Sequence, residues 1–208
     1  VKVKKMFKEI LATLKEQRWD DHRYYHHSRI NQSLHFVSAI SFMIAYIFLF
    51  IDPVVSAYVA WLVAMTTRQC GHFFFEPKDY DTYNQATQEY KEEIKIGYNL
   101  NRKRVLMACF VAIPILAYFD LAFMNYLVPH QDTETYLNRV GIGWLWLGVA
   151  AVTFRMIQLT IKQSFKTAYV WCIKILTDPF HDFLIYRKAP LYLMRGQLID
   201  PDLKQDYE

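Results

Sequence analysis

Two short stretches concentrate the residue types that could do chemistry. Tyr25-His26-His27-Ser28-Arg29-Ile30-Asn31-Gln32-Ser33-Leu34-His35 leads into a long apolar run, and Gly71-His72-Phe73-Phe74-Phe75-Glu76 follows the next one. Imidazoles gathered near a carboxylate suit a divalent transition metal, and non-haem Fe(II) with open coordination positions binds dioxygen and substrate. Any one interfacial histidine is explained by bonds to headgroups or backbone, whereas the set together points to a metal. Competing templates are missing: the chain has no His-Glu-x-x-His zinc motif, no Walker loop and no Gly-x-Ser-x-Gly elbow. Cys70, Cys109 and Cys172 form no pair at metal spacing and read as apolar helix residues. The histidine boxes of membrane desaturases need several adjacent pairs, and here only His26-His27 is adjacent.

The elements that must carry these residues are apolar blocks. Leu34 to Ile51 and Val54 to Thr67 hold no formal charge, Val105 to Val128 holds only Asp120, and Val140 to Thr160 only Arg155. A membrane span needs about 20 mostly apolar residues, so the expectation is an all-α integral membrane bundle of four transmembrane helices with interfacial amphipathic helices. The short second block reaches span length if its helix continues through Arg68 toward His72, the arginine snorkelling to the headgroups. A soluble bundle with apolar core helices is the competing reading.

Charge placement sets the orientation. Of 24 Lys and Arg residues, eight precede Leu34, six lie between Gly71 and Arg104, and seven follow Thr160, while the segment Pro129 to Arg139 has only Arg139 beside Asp132 and Glu134. Basic flanks mark the cytoplasmic side. Both termini and the middle loop are therefore expected there, in a bacterial inner membrane or the endoplasmic reticulum. The same topology collects His22, His26, His27, His35, His72 and His181 on one side and leaves His130 on the other. A basic cytoplasmic face follows from this rule alone, so nothing argues for nucleic acid.

Local signals refine the picture. Phe7, Ile10, Leu11 and Leu14 among six basic residues predict an amphipathic helix over 1–19, suited to an anionic membrane surface or to solvent, without the apolar core of a signal peptide. On an unbroken helix His26 and His35 point about 180° apart. A break at Ser28 or Asn31, both N-cap residues, frees His26 to turn toward His35. The rival is His27 with His35, about 80° apart on a continuous helix. Asp52-Pro53 predicts the far-side turn of the first hairpin, and Pro77 ends the second helix near Glu76. A polar helix is expected over about 85–96 with a break at Gly97, a kink at Pro114 and no Asp120–Arg155 ion pair. A surface-lying helix is expected from Lys162 to Leu176, ending at Thr177-Asp178-Pro179, followed by a mobile polar tail after Leu198.

Tyr25-His26, Asn31, His35, then Gly71-His72 and Glu76 one hairpin later, resemble the signature of the fungal 2-hydroxy fatty acid dioxygenases and their bacterial relatives. The resemblance covers about Tyr24 to Glu76, with an echo in Asp178-Pro179-Phe180. Val37-Ser38-Ala39-Ile40 and Pro77-Lys78-Asp79-Tyr80 depart from it, where the family carries a Gly-x-Pro-like feature and an Arg-Pro-Ala-like stretch. It implies a small multi-span enzyme that uses Fe(II) and dioxygen to shorten a 2-hydroxy fatty acid by one carbon, with His26, His35 and His72 as iron ligands. His181 is then a fourth candidate. Glu76 would ligate the metal or orient His72, Asn31 would cap the first membrane helix or bond a ligand, and Arg29 or Arg68 would receive the substrate carboxylate. Two other functions fit the same residues: a membrane lipid hydroxylase or hydrolase, and a non-enzymatic subunit with structural histidines.

Overall fold

A computed structural model describes residues 2–76, 79–94, 100–121 and 129–201. Among the described residues the regular structure is helical: α1 (Lys2–Tyr25), α2 (Arg29–Phe48), α3 (Pro53–Tyr58), a π-helical stretch (Val59–Met65), α4 (Thr66–Phe74), α5 (Gln88–Ile94), α6 (Leu100–Tyr118), α7 (Thr133–Lys162), α8 (Phe165–Tyr186) and α9 (Ala189–Met194). Helix α2 is central and packs against α4, α8, α9 and the π-helical stretch, while α7 joins α3, α6 and α8.

Among the described residues two helices, α2 and α7, are long and apolar enough to cross a membrane by length and composition. Only 39% of the apolar window of α2 and 28% of that of α7 is buried, so much of each faces outward. Ile44 and Ile47 on α2, and Trp146, Val149, Phe154 and Ile157 on α7, are exposed. The other two expected spans are built differently. The second apolar block is divided among α3, the π-helical stretch and α4, and the third ends its helix at Tyr118, with 122–128 outside the described residues.

Side-chain chemistry explains where elements start and stop. Ser28 caps α2 by accepting from the amides of Ile30 (3.2 Å) and Asn31 (3.5 Å). The break expected between His26 and His35 is therefore real, and it corrects both the continuous helix that would pair His27 with His35 and the placing of the cap at Asn31. The turn expected at Asp52-Pro53 is present with Pro53 in the first turn of α3, and Asp52 caps that helix through the amides of Val54 and Val55. Asp132 and Thr135 form a reciprocal cap that starts α7 at Thr133, well before the apolar block. Pro114 sits inside α6. Proline has no N–H to give the carbonyl four residues back, and the indole of Trp144 donates to that carbonyl, on Phe110, at 3.0 Å. Phe110 in turn stacks between Trp61 and Trp144 in the apolar core.

Three expectations fail. Helix α8 does not end at Asp178-Pro179 but continues through Pro179 to Tyr186. It is not a surface helix either, since Val170, Trp171, Lys174, Asp178, Asp182 and Tyr186 are buried, and the packing on α2 and α7 outweighs the one backbone bond a proline removes. The segment after Leu198 is pinned where it is described: Arg29 N–H donates to the Leu198 carbonyl (2.9 Å) and Asp200 N–H to that of His27 (2.8 Å). Helix α4 ends at Phe74, two residues before the expected Glu76, while the expected break at Gly97 and residues 202–208 of the tail lie outside the described residues. Asp120 pairs with Arg139 rather than Arg155, as expected of two residues at different depths.

Candidate metal centre

The α1–α2 corner and the end of α4 bring three histidines together. His26 follows the last turn of α1, His35 lies in the second turn of α2, and His72 lies on α4. Their ring centroids are 4.1 Å (His26–His35), 4.9 Å (His35–His72) and 5.6 Å (His26–His72) apart. One potential ligand atom from each lies within 4.8 Å of the others, and all three residues are buried.

Such closeness requires α2 and α4 to touch, and Gly71 permits it. A Cβ on Gly71 would stand 2.2 Å from Asn31 Oδ1 and 3.5 Å from the His35 ring. Asn31 is held from the other side, its amide donating to the Tyr25 carbonyl at 2.8 Å. Asn31 thus fastens the end of α1 to α2 and packs against the glycine beside His72.

Each of the three rings is steered through Nδ1. His26 Nδ1 meets the Tyr186 hydroxyl at 2.7 Å, His72 Nδ1 meets Glu76 Oε2 at 2.8 Å, and His35 Nδ1 lies 3.5 Å from Asp182 Oδ2. Glu76 makes its contact although α4 ends at Phe74, short of the expected Glu76. With Nδ1 bonded to protein, Nε2 is the nitrogen each ring offers a metal, the arrangement seen where histidine ligands are oriented by a carboxylate or other acceptor. His35 Nε2 is buried with no hydrogen-bond partner among the described residues. A buried polar atom is normally satisfied, and an ion bound there would satisfy it. Three imidazoles in a buried pocket are a donor set for zinc, copper, nickel or iron.

A charged network stands behind the rings. Arg68 donates to Asp182 at 3.0 Å and lies 3.9 Å from Asp178. Asp178 also accepts from Lys174 (2.7 Å) and Arg18 (3.2 Å), and Lys174 pairs with Asp21. Burial alone would raise the Asp182 carboxyl, but the Arg68 guanidinium, helped by His181 and His35, holds it well below the usual carboxylate range. Burial, with Asp182 adding to it, pushes the Tyr186 hydroxyl well above its ordinary value. These surroundings favour the anionic form of Asp182 and the neutral form of Tyr186. A small polar cleft bordered by Arg18, His22, His26, Lys174, His181 and Tyr186 adjoins the rings.

The expected site residues separate accordingly. His26, His35 and His72 converge. His181 borders the cleft but falls outside the three-ring group, its Nδ1 being 3.8 Å from Asp182 Oδ1 while Asp182 takes the inward position. His27 turns away to the Arg23 carbonyl and to Asp81 (3.6 Å). Arg68 does not snorkel to headgroups, because two buried carboxylates draw it inward. Arg29 is likewise engaged, with Asp200 (2.9 Å) and Gln32 (2.7 Å). Asp182, Tyr186 and His22 were not singled out as site residues from sequence. The four-residue spacing of Lys174, Asp178, Asp182 and Tyr186 along one helical face is the signal they leave in the sequence, and Pro179, which reads as a helix end, masks it. None of the family models, curated proteins or solved structures compared with the chain matches it.

Proposed function

We propose that this chain is a four-span membrane protein whose His26, His35 and His72 hold Fe(II), and that it is a dioxygenase shortening 2-hydroxy fatty acids by one carbon. The observation that carries the metal is the convergence of three buried rings, each bonded through Nδ1, around the buried His35 Nε2. The outward apolar faces of α2 and α7 support the membrane setting, with α3 through α4 and α6 as the other two spans. The resemblance over Tyr24 to Glu76 supports iron and the lipid substrate.

Bound iron would supply the dioxygen chemistry, which no side chain can. The chain's own residues do the rest. Tyr186, Asp182 and Glu76 fix the ring orientations, Arg68 keeps Asp182 anionic, and Asn31 with Gly71 sets the distance between the helices bearing His35 and His72. The acyl chain would lie among the apolar helices, and its carboxylate and 2-hydroxyl would approach through the polar cleft on the cytoplasmic side. Membrane lipids are the surrounding partners.

Oxygen uptake by detergent-purified, Fe(II)-loaded protein, followed with 2-hydroxy and unsubstituted fatty acids, tests this function. Uptake restricted to the 2-hydroxy acids, with the one-carbon-shorter acid as product, is expected. Uptake with neither acid from protein that holds iron would overturn the 2-hydroxy fatty acid dioxygenase and leave a hydroxylase of another lipid, a hydrolase or a non-enzymatic site.

A further inference from the structure

Tyr186 does not end at His26. Its hydroxyl also lies 3.0 Å from Nδ1 of His22, which is 1% exposed, so one phenolic oxygen stands between two imidazole nitrogens. The hydroxyl carries one proton and can donate to only one of them. We infer that His22 is a positioning residue, holding the Tyr186 proton so that His26 presents a bare Nε2 to a metal. The inference rests on the metal reading proposed above.

A neutral histidine that ligates through Nε2 carries its proton on Nδ1. His26 Nδ1–H therefore donates to the Tyr186 oxygen, and the Tyr186 O–H must point elsewhere. His22 Nδ1 is the acceptor it meets, which puts the His22 proton on Nε2. If that acceptor is removed, the hydroxyl is free to turn and donate to His26 Nδ1, and the His26 proton moves to Nε2, where it competes with the metal. His22 thus acts on the metal through two hydrogen bonds without touching it. Partners that orient ligands in this way change metal affinity by about 10–100-fold when lost.

Anaerobic titration of Co(II) into the metal-free, detergent-purified full chain, read by ligand-field absorption, tests the chain of bonds without requiring turnover. His22→Asn places an amide oxygen near the Nδ1 position, whereas His22→Gln carries its oxygen past it. We expect Tyr186→Phe, His22→Ala and His22→Gln to weaken Co(II) binding about 10–100-fold and to shift the absorption bands, with His22→Asn staying within about threefold of wild type. Tyr186→Phe combined with His22→Ala should bind no more weakly than Tyr186→Phe alone, because the two act in series. The contrast of His22→Asn with His22→Gln decides the matter even if His22→Ala fails to fold. Equal binding by those two variants, or multiplied losses in the double variant, would overturn the role of His22. Wild-type protein that gives no Co(II) absorption would overturn the metal site itself, a result distinct from the others.

Discussion

Gly71→Ala is the smallest change that strikes the positioning of the candidate ligands. The new Cβ would stand 2.2 Å from Asn31 Oδ1, whereas ordinary contact begins at 3.4 Å, so about 1.2 Å must be found. Asn31 is fully buried and its amide is committed to the Tyr25 carbonyl. Either Asn31 rotates and strands that carbonyl, costing about 1–3 kcal/mol, or α4 moves away from α2 at the similar cost of overpacking, about 1–3 kcal/mol. Both routes disturb His72, the next residue, relative to His35. We expect Gly71→Ala to destabilise the protein by about 2 kcal/mol in detergent unfolding and to lower metal affinity at least tenfold. Asn31→Ala should cost about 1–3 kcal/mol on its own through the stranded Tyr25 carbonyl. In the double variant the clash is gone, so its loss should fall short of the sum by at least about 0.5 kcal/mol. Additive losses, or a neutral Gly71→Ala, would refute the close α2–α4 contact.

Further consequences can be measured separately. Glu76→Gln replaces the carboxylate that accepts from His72 with a weaker acceptor, and metal affinity read by competition with a chelator should fall by about 10–100-fold with little change in the helical circular dichroism. Asp81→Asn breaks a pair with Lys91, which is 0% exposed and 2.9 Å away, and should destabilise at pH 7 by about 3 kcal/mol. Burial opposes the Asp81 charge, but the Asn84 amide and Lys91 lower its pKa overall. Its stabilising effect is therefore present above the unfolded carboxylate pKa of about 3.9 and lost as pH falls through the lower folded value. Wild type and Asp81→Asn should converge in stability at acid pH. Single cysteines at Asp52 and Glu89, in a background without the three native cysteines, should react with an impermeant thiol reagent from opposite sides of a sealed vesicle. Labelling of both from one side would contradict the proposed topology.

The elements that could be read from sequence are those whose signals are local. Ser28 or Asn31 marks a break before α2 and Asp52-Pro53 a turn before α3, and the structure puts the caps at Ser28 and Asp52, because an N-cap acts over three residues and leaves a local signal. That break was enough to bring His26 toward His35, and the hairpin at Asp52-Pro53 returned His72 to the same end. Tertiary partners were less visible. Nothing in the order of residues says that Tyr186, 160 positions from His26, bonds its ring, or that Arg68 faces Asp182 instead of lipid headgroups. Pro179 misled because a single missing backbone bond is outweighed when a helix packs along its length, as α8 does on α2 and α7. Pro114 shows the complementary case, where a distant indole takes over the carbonyl that the proline leaves. The apolar blocks suggest four spans with a short second one; that second block runs through α3, a π-helical stretch and α4, and among the described residues α2 and α7 are the helices long and apolar enough to cross a membrane.

Metal content is the most direct test of the centre. Detergent-purified protein would be loaded anaerobically with Fe(II), freed of excess and analysed by elemental mass spectrometry beside His35→Ala and His72→Ala. We expect iron near one equivalent in the wild type and a loss of most of it in both variants. Equally little metal in all three proteins would contradict the iron centre and bring a structural role for the histidines to the front.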